Sequence, residues 1–269
     1  FIQYNGLIFF SADDDVNGRE LWVTDGTEEG TELFFDINPG DGNGAPRDFV
    51  IFNDLLWFTA TTEDESSELW VSDGTIAGTR LFLDINPGGL PGNPNFKYVA
   101  VQSGLMFFNA NTEPEGAELW VSDGTEAGTR IVADIEEGED NSFPSRFVEA
   151  DGIVYFRAGT DSLGGELYAT DGTEAGTRLI KDLYPGEEDS SPDDLTAIGI
   201  PLFTGQVVFF TGEEDESGSN LYAYAPALDT VFVYVNTNSV GAMEPDNLGT
   251  SDGLLLYFSG ILNIPNNEG

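Results

Sequence analysis

Residues 20–31, with the sequence ELWVTDGTEEGT, return almost unchanged along this chain of 269 residues. Near copies begin at Glu68, Glu118 and Glu166, and a worn copy, NLYAYAPALDT, begins at Asn220. The starts are separated by 48 to 54 residues. Repeats of this length are typical of folds in which each repeat is one supersecondary unit that cannot bury its apolar surface alone. The recurrence therefore predicts an array of similar units packed side by side.

Each repeat contains four stretches with strand character. The first repeat has an apolar run at 7–10, the ELW stretch, a third strand at 33–37 and a weaker fourth strand at 48–52. The apolar runs are continuous rather than alternating, which indicates strands that are buried on both faces. The fourth strand turns into the next apolar run through dipeptides that favour tight turns, such as Ser103-Gly104.

This pattern predicts an all-β fold, a β-propeller of four-stranded antiparallel blades with about 50 residues per repeat. Five full repeats and a partial one leave five or six blades open, in one domain over 1–269. We expect the segment to be a piece of a longer array. The predicted repeats span about 1–46, 47–95, 96–144, 145–198 and 199–246, with a partial repeat at 247–269.

The loops that connect the strands of such blades fall into two groups, one at each end of the sheets. Alternate connections of an up-and-down sheet emerge at the same end, so we expect the tight turns to share one end with the DGT hairpins. The long loops, between the first and second strands and between the third and fourth, lie opposite and contain most of the acidic runs, for example Asp13-Asp14-Asp15. One end is therefore predicted to be strongly negative.

Charge and residue usage exclude several classes of function. Nine Lys and Arg residues face 49 Asp and Glu residues, for a net charge of −40. Such a surface repels nucleic acid and anionic membranes, so neither is expected as a partner. His and Cys are absent, which excludes catalytic Ser-His-Asp or Cys-His groups and imidazole or thiolate metal sites. No apolar run reaches the roughly 20 residues of a membrane span.

Oxygen ligands for calcium are the most specific chemical signal. Asp13, Asp15 and Asn17 followed by Gly18 match the opening of a calcium loop, and Glu20 supplies a further carboxylate. A second version, Glu213, Asp215 and Ser217, lies in the corresponding loop of the fifth repeat. Calcium is the predicted cofactor, and a solvated acidic loop without a metal is the alternative.

The residues repeated in every copy favour structural roles. The Asp of the DGT hairpin is expected to accept hydrogen bonds from the amides just after it. The aromatic residue after Glu-Leu is expected to pack between blades, its indole N–H bonding to a carbonyl, rather than to stack on sugars. The aspartates that end the third strand are expected to cap the following Pro-Gly turn, with a ring around a central cation as the alternative. These aromatic residues and aspartates are Trp22, Trp70, Trp120, Tyr168, Tyr222, Asp36, Asp84, Asp134 and Asp182.

The phrase ELWVSDGTEAGTR with its following DI and Pro-Gly turn resembles the bacterial ELWxxDGT repeat family. The resemblance covers nearly the whole chain and fades in the fifth repeat, where Ala225-Pro226-Ala227-Leu228 replaces DGTEAG. It implies a β-propeller from a large secreted or surface-attached bacterial protein. No activity and no catalytic residues are established for that family, so the resemblance carries over no site residue.

The sequence therefore predicts an extracellular, non-catalytic β-propeller that binds calcium and mediates adhesion or assembly, as in a filament or layer. Its partners would be other copies of itself, other surface proteins or a polysaccharide. One alternative is a lectin-like carbohydrate-binding propeller. A second is a glycan-cleaving enzyme with paired carboxylates, although no pair is singled out by the repeats. Adaptation to high salt is an alternative explanation of the acidity.

Overall fold

The computed structural model describes residues 1–62, 66–88, 91–199, 205–215, 218–235, 246–251 and 255–259. Within these ranges the regular elements are β-strands and one 3-10 turn, Pro226–Leu228. No helix of the described residues has the length and apolarity to cross a membrane. The all-β prediction is confirmed.

The described strands form five four-stranded antiparallel sheets and one two-stranded sheet. The first sheet comprises β1 (Ile2–Tyr4), β2 (Leu7–Asp13), β3 (Arg19–Thr24) and β4 (Glu32–Phe35). The second comprises β5 (Arg47–Phe52), β6 (Leu55–Thr61), β7 (Ser67–Ser72) and β8 (Arg80–Leu83). The third comprises β9 (Asn95–Gln102), β10 (Leu105–Thr112), β11 (Gly116–Ser122) and β12 (Arg130–Ala133).

The fourth and fifth sheets repeat this arrangement. The fourth comprises β13 (Ser145–Ala150), β14 (Ile153–Thr160), β15 (Gly164–Thr170) and β16 (Arg178–Lys181). The fifth comprises β17 (Asp193–Gly199), β18 (Gln206–Gly212), β19 (Asn220–Ala225) and β20 (Thr230–Val235). The two-stranded sheet pairs β21 (Asp246–Ser251) with β22 (Leu255–Ser259).

In each four-stranded sheet the strands are adjacent in chain order, as in an up-and-down blade. The strand counted fourth in the sequence repeat is the first strand of the next sheet, because the tight turn after it pairs it with the apolar strand that follows. Phe52, for example, opposes Leu55 across such a turn. The predicted repeat boundaries at 46/47 and 144/145 coincide with the starts of β5 and β13, whereas those at 95/96, 198/199 and 246/247 fall inside β9, β17 and β21.

The two middle strands are the most buried parts of a sheet. Every residue of β7, β11 and β15 is buried. The apolar strand beside them is buried over most of its length, with Trp57 and Phe58 of β6 fully inaccessible. This burial confirms, for the second to fifth sheets, the prediction that continuous apolar runs lie covered on both faces. The run at 7–10 in β2 is only partly buried, and Ile8 is exposed.

The chain divides into two compact units, residues 1–131 with 137–140 and residues 132–136 with 141–269. In the first unit, β1 contacts β5 and β5 contacts β9. In the second unit, β13 contacts β17 and β17 contacts β21. Within each unit, therefore, the first strands of successive sheets are neighbours.

The connections separate as the sequence predicts. In the first unit Asn53, in the tight turn of the second sheet, donates from Nδ2 to the carbonyl of Asp123 in the third DGT hairpin at 3.0 Å. At the other end of the first sheet, the backbone N–H of Arg19 donates to Asn43 Oδ1 at 2.9 Å, which joins its two long loops. Tight turns and hairpins thus share one end in this unit, and long loops meet at the other.

Candidate functional site

The DGT hairpin is a closed hydrogen-bond network that recurs in four sheets. In the first copy, Asp25 Oδ1 accepts from the backbone N–H of Thr27 at 2.9 Å and from its hydroxyl at 2.7 Å. Gly30 donates its N–H to the Thr27 hydroxyl at 3.0 Å. The same bonds form around Asp73, Asp123 and Asp171. These hydrogen bonds lower the pKa of each aspartate, led by the one from the threonine hydroxyl. The predicted turn-forming role of these aspartates is confirmed.

The second glycine of this hairpin leaves room for the aspartate. A Cβ at Gly78 would lie 2.1 Å from Asp73 Oδ1, and a Cβ at Gly128 would lie equally close to Asp123 Oδ1. Because such contacts are far inside van der Waals distance, the aspartate and the glycine are required together.

The glutamate that opens each ELW stretch joins the long loop to the sheet. Glu20 is fully buried, and its Oε2 accepts from the N–H of Ile37 at 2.7 Å while its Oε1 accepts from the N–H of Gly44 at 2.6 Å. Glu68 makes the equivalent bonds to Ile85 and Gly92 at 2.8 and 2.7 Å. The structure therefore places the Glu20 carboxylate inside the fold, where it binds backbone amides. The loop that was predicted to bind calcium keeps Asp13, Asp15 and Asn17.

Burial dominates the titration of these glutamates. It raises the pKa of Glu20, against hydrogen bonds from Gly44, Ile37 and Asn38 that lower it. It raises the pKa of Glu166 to about 7, where the side chain of Ser190 also donates to Oε2 at 2.6 Å. In the fifth sheet fully buried Asn220 takes this position, so that sheet lacks the buried charge.

The aspartates after the third strand have one buried, unmatched oxygen in three sheets. Oδ1 of Asp36, Asp84 and Asp182 is buried and has no hydrogen-bond partner among the described residues. The Oδ2 atom of Asp182 accepts from Gly186 N–H at 3.4 Å. This long hydrogen bond is of the kind predicted for an aspartate that caps the Pro-Gly turn. Asp134 is exposed instead.

The aromatic residues of the repeat are packing residues. Trp70 and Trp120 are 7% and 8% exposed, and Tyr168 and Tyr222 are buried as well. The predicted indole bond to a carbonyl is wrong for the repeated tryptophans. Nε1 of Trp22, Trp70 and Trp120 is buried without a partner among the described residues. Trp57, outside the motif, does donate to the Phe52 carbonyl at 3.0 Å.

The loop between β2 and β3 is organised by Asp14, which the calcium pattern passes over. Asp14 accepts from the N–H groups of Val16 and Asn17 at 3.0 and 2.7 Å, and from Asn17 Nδ2 at 2.7 Å. The bonds from Asn17 are the main reason that the pKa of Asp14 is lowered. Asp13 and Asp15 are exposed, and the N–H of Asp15 donates to Asp13 Oδ1 at 2.9 Å.

Gly18 brings this loop against its neighbour. It has a φ of +70°, and a Cβ there would lie 1.8 Å from the carbonyl oxygen of Gly42. The backbone of the first long loop is thereby held beside the backbone of the second at Gly18.

The corresponding loop of the fifth sheet is only partly described. Glu213 Oε1 accepts from the Ser219 hydroxyl at 3.3 Å, and the N–H of Glu213 donates to the Ser190 carbonyl at 2.8 Å. Asp215 lies in the same loop, and Ser217 lies outside the described residues. Beneath them, burial is the largest of the effects that raise the pKa of Tyr222 to about 12.

Two other long-loop regions form polar clefts, each within one unit. In the first unit a cleft is lined by Thr112, Glu113, Gly116 and Glu139 among others. In the second unit a more open cleft is lined by residues that include Asp161, Glu187 and Asp189. Arg157 Nη2 lies 3.7 Å from Asp189 Oδ2 and offsets part of that charge.

No protein-family model matches this chain, and no curated protein matches its sequence. Solved structures with a similar chain path include puromycin hydrolase, with 13% identity and a TM-score of 0.49 over 90% of this chain and 39% of that chain. TolB from Acinetobacter baumannii has 14% identity and a TM-score of 0.42 over 84% of this chain and 50% of that chain. Acylaminoacyl peptidase from Pyrococcus horikoshii has 15% identity and a TM-score of 0.42 over 81% of this chain and 33% of that chain. This chain spans half or less of the length of these proteins, and identities this low say nothing of its activity.

Two sets of site residues escaped prediction from the sequence. The buried glutamates were not predicted to anchor loops, and Glu20 was predicted to bind calcium, although the recurrence of a glutamate before Leu-Trp or Leu-Tyr in four repeats signalled a structural position. Asp14 was overlooked because the calcium-loop pattern uses its neighbours Asp13 and Asp15. In both cases the signal lay in which backbone amides a carboxylate reaches, and those amides are 17 and 24 residues away from Glu20.

Proposed function

We propose that this chain is a non-catalytic, extracellular β-propeller that binds calcium through its acidic long loops and mediates adhesion or assembly at the bacterial surface. Its partners are further copies of itself, other surface proteins or a polysaccharide. The blades are the sheets described above, arranged around an axis lined by their first strands. Support for this arrangement is the side-by-side contact of first strands within each unit.

The calcium proposal is supported by one observation, the ordered loop around Asp14. This residue binds the amides of Val16 and Asn17 and thereby leaves the carboxylates of Asp13 and Asp15 exposed at the loop surface. The amide nitrogen of Asn17 is directed to Asp14, so its Oδ1 is the atom that a cation would use. Calcium takes six to eight hard oxygens in flexible loops of this kind, with waters completing the set.

A binding role suits the repeat better than catalysis does. Four of the five sheets repeat the same carboxylates, and the structure assigns them to hairpin closure and loop anchoring. Stacking of sugars on the repeated aromatic residues would require exposed rings, and Trp70 and Trp120 are buried.

The test measures calcium binding by titration calorimetry and thermal melting in 0.15 M NaCl. We expect heat of binding and a higher melting temperature with calcium, and a decrease of both in Asp13→Asn/Asp15→Asn. The matched control is Glu28→Gln/Glu29→Gln, which removes the same charge from the exposed DGT hairpin. Binding that is equal in the two variants, or absent from the parent chain, would refute calcium binding in this loop.

The assembly proposal has its own measurement. Sedimentation velocity with and without calcium should show larger species when the metal is present, and the loop variant should remain at the size of the calcium-free protein. A protein whose sedimentation is the same in all these conditions would contradict calcium-dependent assembly.

A further inference from the structure

A donor and an acceptor that have no partner among the described residues recur together in the first two sheets. The indole N–H of Trp70 and Oδ1 of Asp84 are both buried and unmatched, and so are those of Trp22 and Asp36. Trp70 is only 7% exposed, so solvent at the surface does not satisfy its N–H. Buried polar atoms are nearly always hydrogen-bonded, because leaving them unmatched is costly.

Strand register places each pair on the same face of its sheet. Leu69 opposes Leu83 across β7 and β8, so these two side chains share a face. The register shifts after Leu69, and the hydrophobic clusters show the two faces: Leu69, Leu83 and Ile85 pack in one cluster, and Trp70 packs in the cluster on the other face. Asp84 lies between Leu83 and Ile85 in the chain, so its side chain points to the face of Trp70. The first sheet repeats this register, with Leu21 opposite Phe35.

The carboxylate next to this pair is already occupied. Glu68 lies on the same face as Trp70, two residues earlier, and its oxygens accept from the N–H groups of Ile85 and Gly92. The unmatched atoms on that face are therefore one donor and one acceptor. Diagonal neighbours on adjacent strands have Cβ atoms roughly 7–8 Å apart, a separation that aromatic side chains reach across. Trp70 Nε1 and Asp84 Oδ1 nevertheless make no direct hydrogen bond to each other.

We propose that each pair holds a buried water molecule, which accepts from the indole N–H and donates to the aspartate Oδ1. Two hydrogen bonds of ordinary length, which meet at the roughly tetrahedral angle of a water, join atoms about 4.5 to 5 Å apart. A metal ion does not suit the pair, because an N–H group repels a cation. A molecule that both accepts and donates is required, and water is the smallest one. These waters belong to the interior of the sheets, away from the proposed calcium loop.

The test is water-selective NOE and ROE spectroscopy on the full chain with ¹⁵N-labelled indoles. The four tryptophans give four indole resonances, assigned by Trp→Phe substitutions. We expect cross-peaks to a long-lived water for Trp22 and Trp70. Trp57 donates directly to the Phe52 carbonyl and serves as the internal control without such a peak. Absence of the peak from Trp70 in the unsubstituted chain would overturn the proposal, whether or not any variant folds.

Two aspartate variants then locate the acceptor. Asp84→Ala should remove the water peak of Trp70 and leave that of Trp22, whereas Asp36→Ala should do the reverse. Asp84→Asn keeps an oxygen acceptor and should retain the Trp70 peak. A Trp70 peak that responds to Asp36→Ala instead would overturn the assigned pairing. A Trp70 peak that disappears on exhaustive chelation would replace the water with a metal-bound species and also overturn the proposal.

Discussion

At the scale of single residues, the DGT hairpin shows why a short phrase is repeated so faithfully. Asp73 binds the amide and hydroxyl of Thr75, and Gly78 has no side chain because the carboxylate fills that space. Each of these residues in the repeated sequence is needed for a specific contact in the hairpin. Such a unit does not tolerate gradual change at one position, which explains near-identity in four copies.

Gly78→Ala tests this coupling. We expect a loss of about 1–3 kcal/mol in the free energy of unfolding, because the new Cβ overlaps the Asp73 carboxylate. Chemical denaturation measures the change. Gly199→Ala is the control, since a Cβ at Gly199 meets nothing within 4 Å.

A double-mutant cycle separates overlap from backbone effects. Asp73→Ala removes the carboxylate, so Gly78→Ala should cost less in that background than in the parent chain. Equal costs in the two backgrounds would mean that Gly78 is needed for another reason.

At the scale of elements, the buried glutamate holds a long loop on each of several sheets. Glu68 reaches the amides of Ile85 and Gly92, which lie on both sides of the connection between β8 and β9. A loop that contains Pro-Gly turns and few apolar side chains has little else to fix its path. The carboxylate supplies two strong acceptors at one point, at the cost of burying a charge.

Glu68→Gln should therefore destabilise the chain by about 2–4 kcal/mol, because an amide NH₂ would face a backbone N–H. The measurement is urea denaturation followed by tryptophan fluorescence. Glu126→Gln makes the same chemical change at an exposed site, where a 3.9 Å ion pair with Arg80 is worth little, and should change stability by well under 1 kcal/mol. Similar losses in the two variants would argue against the anchoring role.

The pH dependence of stability follows from Glu166. Burial raises the pKa of this group to about 7, above its unfolded value of 4.5. A group whose pKa is raised by folding stabilises the fold most fully below the unfolded pKa, and this contribution is lost as pH rises through the folded pKa. The free energy of unfolding should thus fall between pH 5 and pH 8.

Glu166→Gln supplies the comparison for that slope. Its amide does not titrate, so the decline in stability from pH 5 to pH 8 should be shallower than in the parent chain, as measured by denaturant titrations at each pH. Parallel curves for the two proteins would mean that Glu166 does not titrate in this range.

At the scale of the whole molecule, charge of one sign is the dominant feature. A net charge of −40 on 269 residues opposes the compact state through self-repulsion. Five ion pairs join the described residues, and their side chains are partly exposed, so they offset little of this repulsion. Ions in solution must therefore contribute to stability.

Raising NaCl from 0.1 to 1 M should raise the melting temperature, since the screening length shortens from roughly 10 Å to 3 Å. Tetramethylammonium chloride at equal ionic strength should have a similar effect if screening is the cause. A rise with sodium alone would indicate specific sodium binding instead of screening.

The sequence by itself determined the all-β class, the four-stranded unit and the sorting of tight turns from long loops. These follow from local patterns, because a continuous apolar strand, a Gly-containing turn and the repeat length are all encoded within about 50 residues. The role of Asp25 in its hairpin was equally local and was predicted correctly.

Only the tertiary structure decided what the buried polar atoms do. Glu20 looked like a metal ligand next to Asp13 and Asp15, yet its oxygens meet amides of Ile37 and Gly44, far along the chain. The indole of Trp22 was expected to donate to a carbonyl, and it has no partner in the part of the chain that the structure describes. Sequence fixes the types of donors and acceptors, whereas their pairing depends on the path of loops that return from a distance, and local patterns do not contain that path.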